Sequence, residues 1–419
     1  VRTARTRTAA RRPPRAAADL FTDVVGPAVP AAADAGATTS GLLASVRALG
    51  RAVAARSVAL DESSGVGEAR ALTATALHAY WHAKTRHGVG GAMTPIARGG
   101  VSPLLEAAPL WAEARALGAT AASHRDDVAA YALGTLYTVA LPPAVRSRHG
   151  AYFTPPPVVD RLLDLAEEAG VDWATARVLD PAAGGGAFVV PVARRMITTL
   201  RTAGLPTRRI LRSVNRRLRG LELDPFSAWL TQVFLDVLAL DLASDEAGEG
   251  SPARFRPLVR CCDALDAPDA WDGAADLVIG NPPYGKVPLT RLLRARYGRS
   301  LYGHANLYGL FFDLAMRLVR PGGTVAFVTP TSFLGGQYFT RLRALMAAEA
   351  PPIALDLIAD RTGVFEDVLQ ETALVTLGRE REAGSVRLHF ARVSDGDGAC
   401  ELTDAGTFAL PDDAGAPWL

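Results

Sequence analysis

Ala275-Asp276-Leu277-Val278-Ile279-Gly280-Asn281-Pro282-Pro283-Tyr284 is an apolar run that stops abruptly in Asn-Pro-Pro-Tyr. A run this short, closed by a glycine and two prolines, predicts a buried strand of a parallel sheet and cannot continue as a helix past Asn281. The tetrapeptide then sits at the carboxyl end of a strand. In open α/β sheets that edge is where ligands bind.

Those four residues suit methylation of a planar, exocyclic amine. Such an amine is a poor nucleophile because its lone pair is delocalised into the ring. The Asn281 side-chain oxygen and the Pro282 carbonyl can each accept one N–H, drawing electron density toward a nitrogen aimed at an electrophilic methyl. Pro282 and Pro283 fix φ and hold the turn rigid. Tyr284 offers a flat face for stacking, worth about 1–3 kcal/mol per base in nucleic-acid sites. No general base is needed before transfer, because the amine loses its proton only once it carries positive charge.

Upstream, Arg177-Val178-Leu179-Asp180-Pro181-Ala182-Ala183-Gly184-Gly185-Gly186-Ala187-Phe188 reads strand, glycine loop, helix. Glycines there let a cofactor approach the backbone, and the following helix presents free N–H groups. Asp180-Pro181-Ala182 at its start argues against the dinucleotide fingerprint, which opens with glycine. Leu218 to Pro225 is strand-like and ends in Glu222 and Asp224, and Pro257 to Leu265 carries Asp263. An acid ending the second strand suits ribose hydroxyls; taken singly, each reads equally as a cap or a solvated turn. Their order relative to the glycine loop and Asn281 gives them weight together.

The 419 residues predict two to three domains, and 49% apolar residues with a net charge of +2 fit an ordinary globular chain. No continuous apolar run reaches the roughly 18 residues of a membrane span. Lysine occurs only at Lys84 and Lys286, a bias of arginine over lysine that reflects GC-rich coding and not DNA binding. Cys261, Cys262 and Cys400 give neither a disulfide framework nor a zinc-knuckle spacing, so a reducing cytoplasm is the expected location.

Residues 1–40 read as a disordered basic leader without the apolar core of a secretory signal. The initial Val1 implies an alternative start codon or a cut chain. Residues 41–147 have the spacing of an α-helical domain, as in Leu42, Leu43, Val46 and Leu49. His78, His82 and His87 fall there without a spaced third-ligand pattern, so no metal is expected. The region also lacks the acid-x-Lys half of a common nuclease core.

With glycine loop, acids and Asn-Pro-Pro-Tyr in this order, the chain resembles an S-adenosylmethionine-dependent DNA N6-adenine methyltransferase with the gamma motif order, found in bacterial restriction-modification and phage-defence systems. The resemblance covers about 148–380 and implies a Rossmann-like class I methyltransferase sheet, an α/β fold, behind the N-terminal helices. Tyr152-Phe153-Thr154-Pro155 matches the family's Phe-Thr-Pro segment. By the same matching Tyr152, Thr154, Pro181 and Ala182 bind S-adenosylmethionine, Asp180, Gly184 and Gly186 lie around its methionine end, Glu222 holds its ribose and Asp263 its adenine. Asn281, Pro282, Pro283 and Tyr284 take the target base, and Phe365 is the aromatic that packs on it. Double-stranded DNA is the implied partner, together with a cognate endonuclease or specificity subunit, and no membrane.

Two features depart from that pattern. Arg201 through Arg219 is an arginine-rich insertion without an acid, whose Ile210, Leu211, Val214 and Leu218 predict a helix with one buried face and one basic face; phosphate contact and simple solvation fit it equally. Residues 381–419 form either a tail or the start of a missing target-recognition domain. The tetrapeptide also serves RNA-base and protein-glutamine methyltransferases, and a non-catalytic cofactor- or DNA-binding subunit is the alternative from another class.

Overall fold

The computed structural model describes residues 38–85, 93–95, 109–149, 152–244, 254–266, 273–286, 288–302, 306–358, 371–393, 400–413 and 415–419. Among these, nine strands make one sheet: β1 (Val178–Asp180), β2 (Leu218–Glu222), β3 (Val259–Cys261), β4 (Ala275–Gly280), β5 (Val319–Pro330), β6 (Pro352–Ile358), β7 (Thr372–Gly378), β8 (Val386–Val393) and β9 (Cys400–Phe408). Their spatial order is β3-β2-β1-β4-β5-β7-β6-β8-β9. The strands β1 to β5 run parallel, and β7 lies antiparallel between β5 and β6. Beyond them β8 pairs parallel with β6, and β9 closes the edge antiparallel.

The apolar run before Asn281 is β4, between β1 and β5, with Leu277, Val278 and Ile279 all fully buried. Both faces of a central parallel strand are covered, which requires a continuous apolar run rather than alternation. Leu277 and Ile279 join one hydrophobic core and Val278 the other, following the two-residue period of the pleat. Asp276 is tolerated because its carboxylate accepts from the Arg177 N–H at 2.7 Å and pairs with Arg320.

The N-terminal helices are α1 (Thr39–Ser57), α2 (Glu62–Thr85), α3 (Pro109–Ala121), α4 (Asp126–Ala140) and α5 (Pro143–His149). They are followed by α6 (Pro156–Glu168), α7 (Val189–Thr202), α8 (Thr207–Arg217) and α9 (Pro225–Ser244). One hydrophobic core runs without a break from α1 through α9 to one face of the sheet. The other face carries α10 (Arg291–Tyr297), α11 (Leu307–Leu318), α12 (Ser332–Gly335) and α13 (Thr340–Glu349). Among the described residues only α9 holds a stretch long and apolar enough to cross a membrane, and most of that stretch is buried inside the fold.

His78 and His82 lie on an exposed face of α2, while His87 falls outside the described residues. Residues past 380 supply β8, β9 and a return segment. There the buried Arg343 donates to the carbonyls of Phe333, Gly336, Gly415 and Ala416, and Trp418 meets Phe333 edge-on.

The helices α2 and α3 touch backbone to backbone. A Cβ at Gly118 would lie 1.9 Å from the Ala76 carbonyl oxygen. Because neither helix can yield without opening the core between them, Gly118→Ala is expected to lose about 2–4 kcal/mol of stability in urea unfolding, slightly beyond ordinary overpacking.

Candidate active site

Asp180 ends β1 and is buried to 1% exposure; its Oδ1 accepts from the Ala182 N–H at 2.9 Å, closing the turn. The loop then crosses Gly184 at φ +53° and Gly186 at φ +94°, left-handed conformations that favour glycine. Gly184 is braced from two sides. Its N–H donates to Glu222 Oε2 at 2.8 Å, and its carbonyl accepts from Thr231 Oγ1 at 3.0 Å. Neighbouring strand ends thus meet at one point, since Glu222 closes β2. Its other oxygen accepts from the Asp224 N–H at 2.8 Å.

Enclosure sets the protonation of both acids. Burial pushes Asp180 up to about 8, only partly offset by the Ala182 N–H, and the Glu222 carboxylate adds to the rise. Glu222 is raised to about 6 by burial, against the lowering effect of the Asp224 and Gly184 N–H groups. Asp180 Oδ2 is buried and, among the described residues, has no hydrogen-bond partner. A buried orphan acceptor beside an open glycine turn is the environment that a cationic ligand end would complete. The loop and acids therefore fit a cofactor such as S-adenosylmethionine.

Asn281 follows β4 directly. A Cβ on the preceding Gly280 would come within 2.6 Å of Asp180 Oδ1, so only glycine lets the strand carrying Asn281 lie against Asp180. Asn281 Nδ2 donates to Thr154 Oγ1 at 3.1 Å, and Tyr284 OH donates to Asn281 Oδ1 at 2.7 Å. One lone pair of Oδ1 is used and the second remains for an amine. The Tyr284 ring meets Tyr308 edge-on at 6.2 Å, and Tyr308 stacks on Phe339 at 5.2 Å. Burial drives the Tyr284 hydroxyl well above its ordinary range, so it stays protonated and can only donate to an unprotonated acceptor such as Oδ1. The Gly285 N–H donates to Asn306 Oδ1 at 3.1 Å, and its carbonyl accepts from the Leu307 N–H at 2.8 Å, tying the loop to α11.

The structure thus brings together Thr154, Asp180, Pro181, Ala182, Gly184, Gly186, Glu222, Asn281, Pro282, Pro283 and Tyr284 along adjacent strand ends. Tyr152 is half-buried against the core just before Thr154. Asp263, just past β3, is exposed and its Oδ1 caps its own turn through the Leu265 N–H at 2.9 Å. Phe365 lies outside the described residues.

Sequence reasoning missed the braces. The Phe153 ring lies between Gly134 of α4 and Gly185 of the loop, where a Cβ would come within 2.1 Å and 2.7 Å of it. Asp224 accepts from Tyr137 OH and Arg70 Nη2, both at 2.7 Å, binding the loop after β2 to the N-terminal helices. These contacts join residues 87 and 154 positions apart, and no local pattern announces them. A cavity of about 310 Å³ lies among α4, α6 and α7; it reaches Thr154 and Gly186 but not Asp180, Glu222, Asp263 or Asn281.

Five parallel strands followed by an inserted antiparallel one, with a glycine loop after β1, define a class I S-adenosylmethionine-dependent methyltransferase fold. Comparison with known proteins is more specific. A model of the Eco57I restriction-modification methylase family matches residues 244–365. Type II methyltransferase M.PaeR7I of Pseudomonas aeruginosa is 29% identical over 280 residues, covering 64% of this chain and 46% of that protein. Type II methyltransferase M.TthHB8I of Thermus thermophilus is 30% identical over 226 residues, covering 51% and 42%. The chain therefore spans about half the length of the curated relatives it matches.

Two solved structures share the fold at 15% identity. The DrdV–DNA complex has a TM-score of 0.55 over 91% of this chain and 45% of that one. The Type ISP restriction-modification enzyme LlaBIII bound to DNA has a TM-score of 0.55 over 84% and 30%. The motif resemblance is borne out at the level of bacterial restriction-modification methylases, to which this chain is related.

Proposed function

We propose that the chain methylates the N6 amine of an adenine in double-stranded DNA, with S-adenosylmethionine as donor, in the cytoplasm of a bacterium with a restriction-modification or related defence system. The observation that carries this reading is Asn281, held between Thr154 and Tyr284 one strand away from Asp180. Relatives that are Type II methyltransferases, and fold neighbours solved with DNA, support the substrate class.

The donor, when bound, supplies an electrophilic methyl. Asn281 Oδ1 and the Pro282 carbonyl receive the two amine hydrogens and aim the nitrogen. The target adenine leaves the duplex at a cost of a few kcal/mol and meets Tyr284, with Phe365 assigned to the same base. Acceleration comes from positioning and from fixed dipoles that stabilise the developing positive charge on the amine. Exposed Lys286, Arg291 and Arg294 follow the loop and would hold phosphates.

Thr154 acts in this scheme on the amide of Asn281. Thr154→Val keeps the volume and removes the acceptor, so turnover is expected to fall about tenfold while donor affinity changes less than about threefold, and Thr154→Ser restores both. Rapid-quench rates beside donor titrations check this, and an equal loss of donor affinity would return Thr154 to the cofactor site.

The function is tested by nucleoside mass spectrometry on a methylation-deficient bacterium expressing the chain, with DNA and RNA digested separately. N6-methyladenine in DNA is the expected product. Its appearance only in RNA would overturn the DNA assignment.

A further inference from the structure

The arginine-rich insertion forms α8, and its residues divide sharply by face. Ile210 and Val214 are buried at 1% and 0% exposure, anchoring the helix. Arg208, Arg209, Arg212 and Arg216 are exposed, and at 100° per residue they fall within an arc of about 100° opposite that anchor. Several arginines elsewhere in the fold are spent on ion pairs, as in Arg161–Asp356, Arg195–Asp164, Arg299–Asp313 and Arg379–Glu349. Among the described residues the four exposed arginines of α8 have no such partner, and residues 201–219 contain no acid.

The positive surface extends past the helix. The Arg256 N–H donates to Asn215 Oδ1 at 2.9 Å, which brings an exposed arginine from before β3 to the side of α8. Arg219, bonded to the Asn215 and Leu218 carbonyls, lies close enough to Arg256 that the two repel. Arg208, Arg212 and Arg216 step by four residues, or about 6 Å of helix rise. Successive phosphates of one strand rise about 3.4 Å along the duplex axis, so each arginine step spans about two of them in axial rise.

We infer that the exposed arginines of α8, with Arg256, form a phosphate-binding surface for nucleic acid, separate from the catalytic cleft. The surface does not face Asn281. The last residue of α8, Arg217, is followed at once by Leu218 of β2, so the helix ends at the amino ends of the strands, while the site lies at their carboxyl ends. Five residues of β2 put about 15 Å between the two edges. The surface therefore grips backbone without reading bases. It takes a segment of duplex outside the target site, or a duplex that turns around the domain edge formed by β3.

The inference rests on the nucleic-acid reading above, and the experiment separates the two. Binding of a 60-base-pair duplex of random sequence is titrated at several salt concentrations for the parent, for R208Q/R212Q/R216Q and for R115Q/R341Q/R392Q, which removes the same charge from exposed arginines elsewhere. The α8 variant is expected to lower the slope of log K against log salt by about 3 and to weaken binding about tenfold in low salt, with the control close to the parent. Single-turnover methylation at saturating DNA should stay within about twofold of the parent, since the surface contributes grip and not chemistry. Equal slopes for both variants would reduce the effect to net charge and overturn the site. An α8 variant that binds the duplex like the parent but loses affinity for polyglutamate would assign the face to an acidic protein instead. A parent without affinity for the duplex would overturn the DNA reading and this inference together.

Discussion

Asn281→Ala is expected to reduce methyl transfer by about three orders of magnitude while leaving donor affinity within about threefold of the parent. The magnitude follows from removing a fixed dipole from a water-poor site, where single preorganised groups contribute about 10²–10³ in turnover. Loss on both measures together would mean collapse of the site, and two features argue against collapse. Among the described residues the Asn281 side chain bonds to the hydroxyls of Thr154 and Tyr284, each able to turn toward another partner, and its position is fixed by Gly280 against Asp180 and by Gly285 against Asn306. Single-turnover rates, donor titration and a melting curve on the same preparation distinguish the outcomes. Near-parental transfer by Asn281→Ala would remove the central residue of the proposed mechanism.

Asp180 gives the second large effect, with a sign that runs against habit for a carboxylate. Its pKa lies near 8 in the fold and at 3.8 in an unfolded chain. Between those values the folded protein holds a proton that the unfolded chain releases, so stability falls as pH rises from about 4 to about 8 and is level outside that window. Glu222, raised from 4.5 to about 6, adds slope in the lower part of the range. Asp180→Asn removes the larger share. At pH 8 the cofactor-free variant is expected to melt about 3 °C above the parent, and the gap should narrow toward pH 5.

The same variant should bind S-adenosylmethionine about 10–100-fold more weakly, because the ionised carboxylate that meets the positive end is gone. In the parent, affinity should tighten with pH up to about 8, where Asp180 no longer has to release a proton on binding. Titration calorimetry in buffers of different ionisation enthalpy reads that proton directly. A variant less stable than the parent at pH 8, with unchanged donor affinity, would show that Asp180 serves the turn alone.

In the proposed scheme, stability lost by keeping Asp180 out of water would be recovered on binding the cationic donor, which would couple donor binding to the fold. Gly280 is part of that arrangement. Any side chain there would push Asp180 away from β4 and separate the cofactor loop from Asn281.

Much of this protein is legible in the sequence because the signals are local. An unbroken apolar run must be a strand covered on both faces, and β4 is one. Asp-Pro-Ala-Ala-Gly-Gly-Gly must turn, and Gly184 and Gly186 take left-handed conformations there. The spacing of Ile210 and Val214 gives the amphipathic α8 before any fold is known. The order of these signals was enough to put the acids and the tetrapeptide at one sheet edge, since parallel strands all deliver their carboxyl ends to the same side.

Only the tertiary structure decided how the site is held. Thr154 and Asn281 are 127 residues apart, and their hydrogen bond exists because the segment before α6 passes over the end of β4. Phe153 locks the glycine loop through Gly134, and Tyr137 with Arg70 locks Asp224, so the N-terminal helices brace the cofactor edge. A sequence pattern reports which way a residue faces within its own element, whereas desolvation depends on what the whole chain places around it. For that reason the composition and order of the site could be read from the chain, while the raised pKa of Asp180, the orientation of the Asn281 amide and the remoteness of the α8 arginines could not.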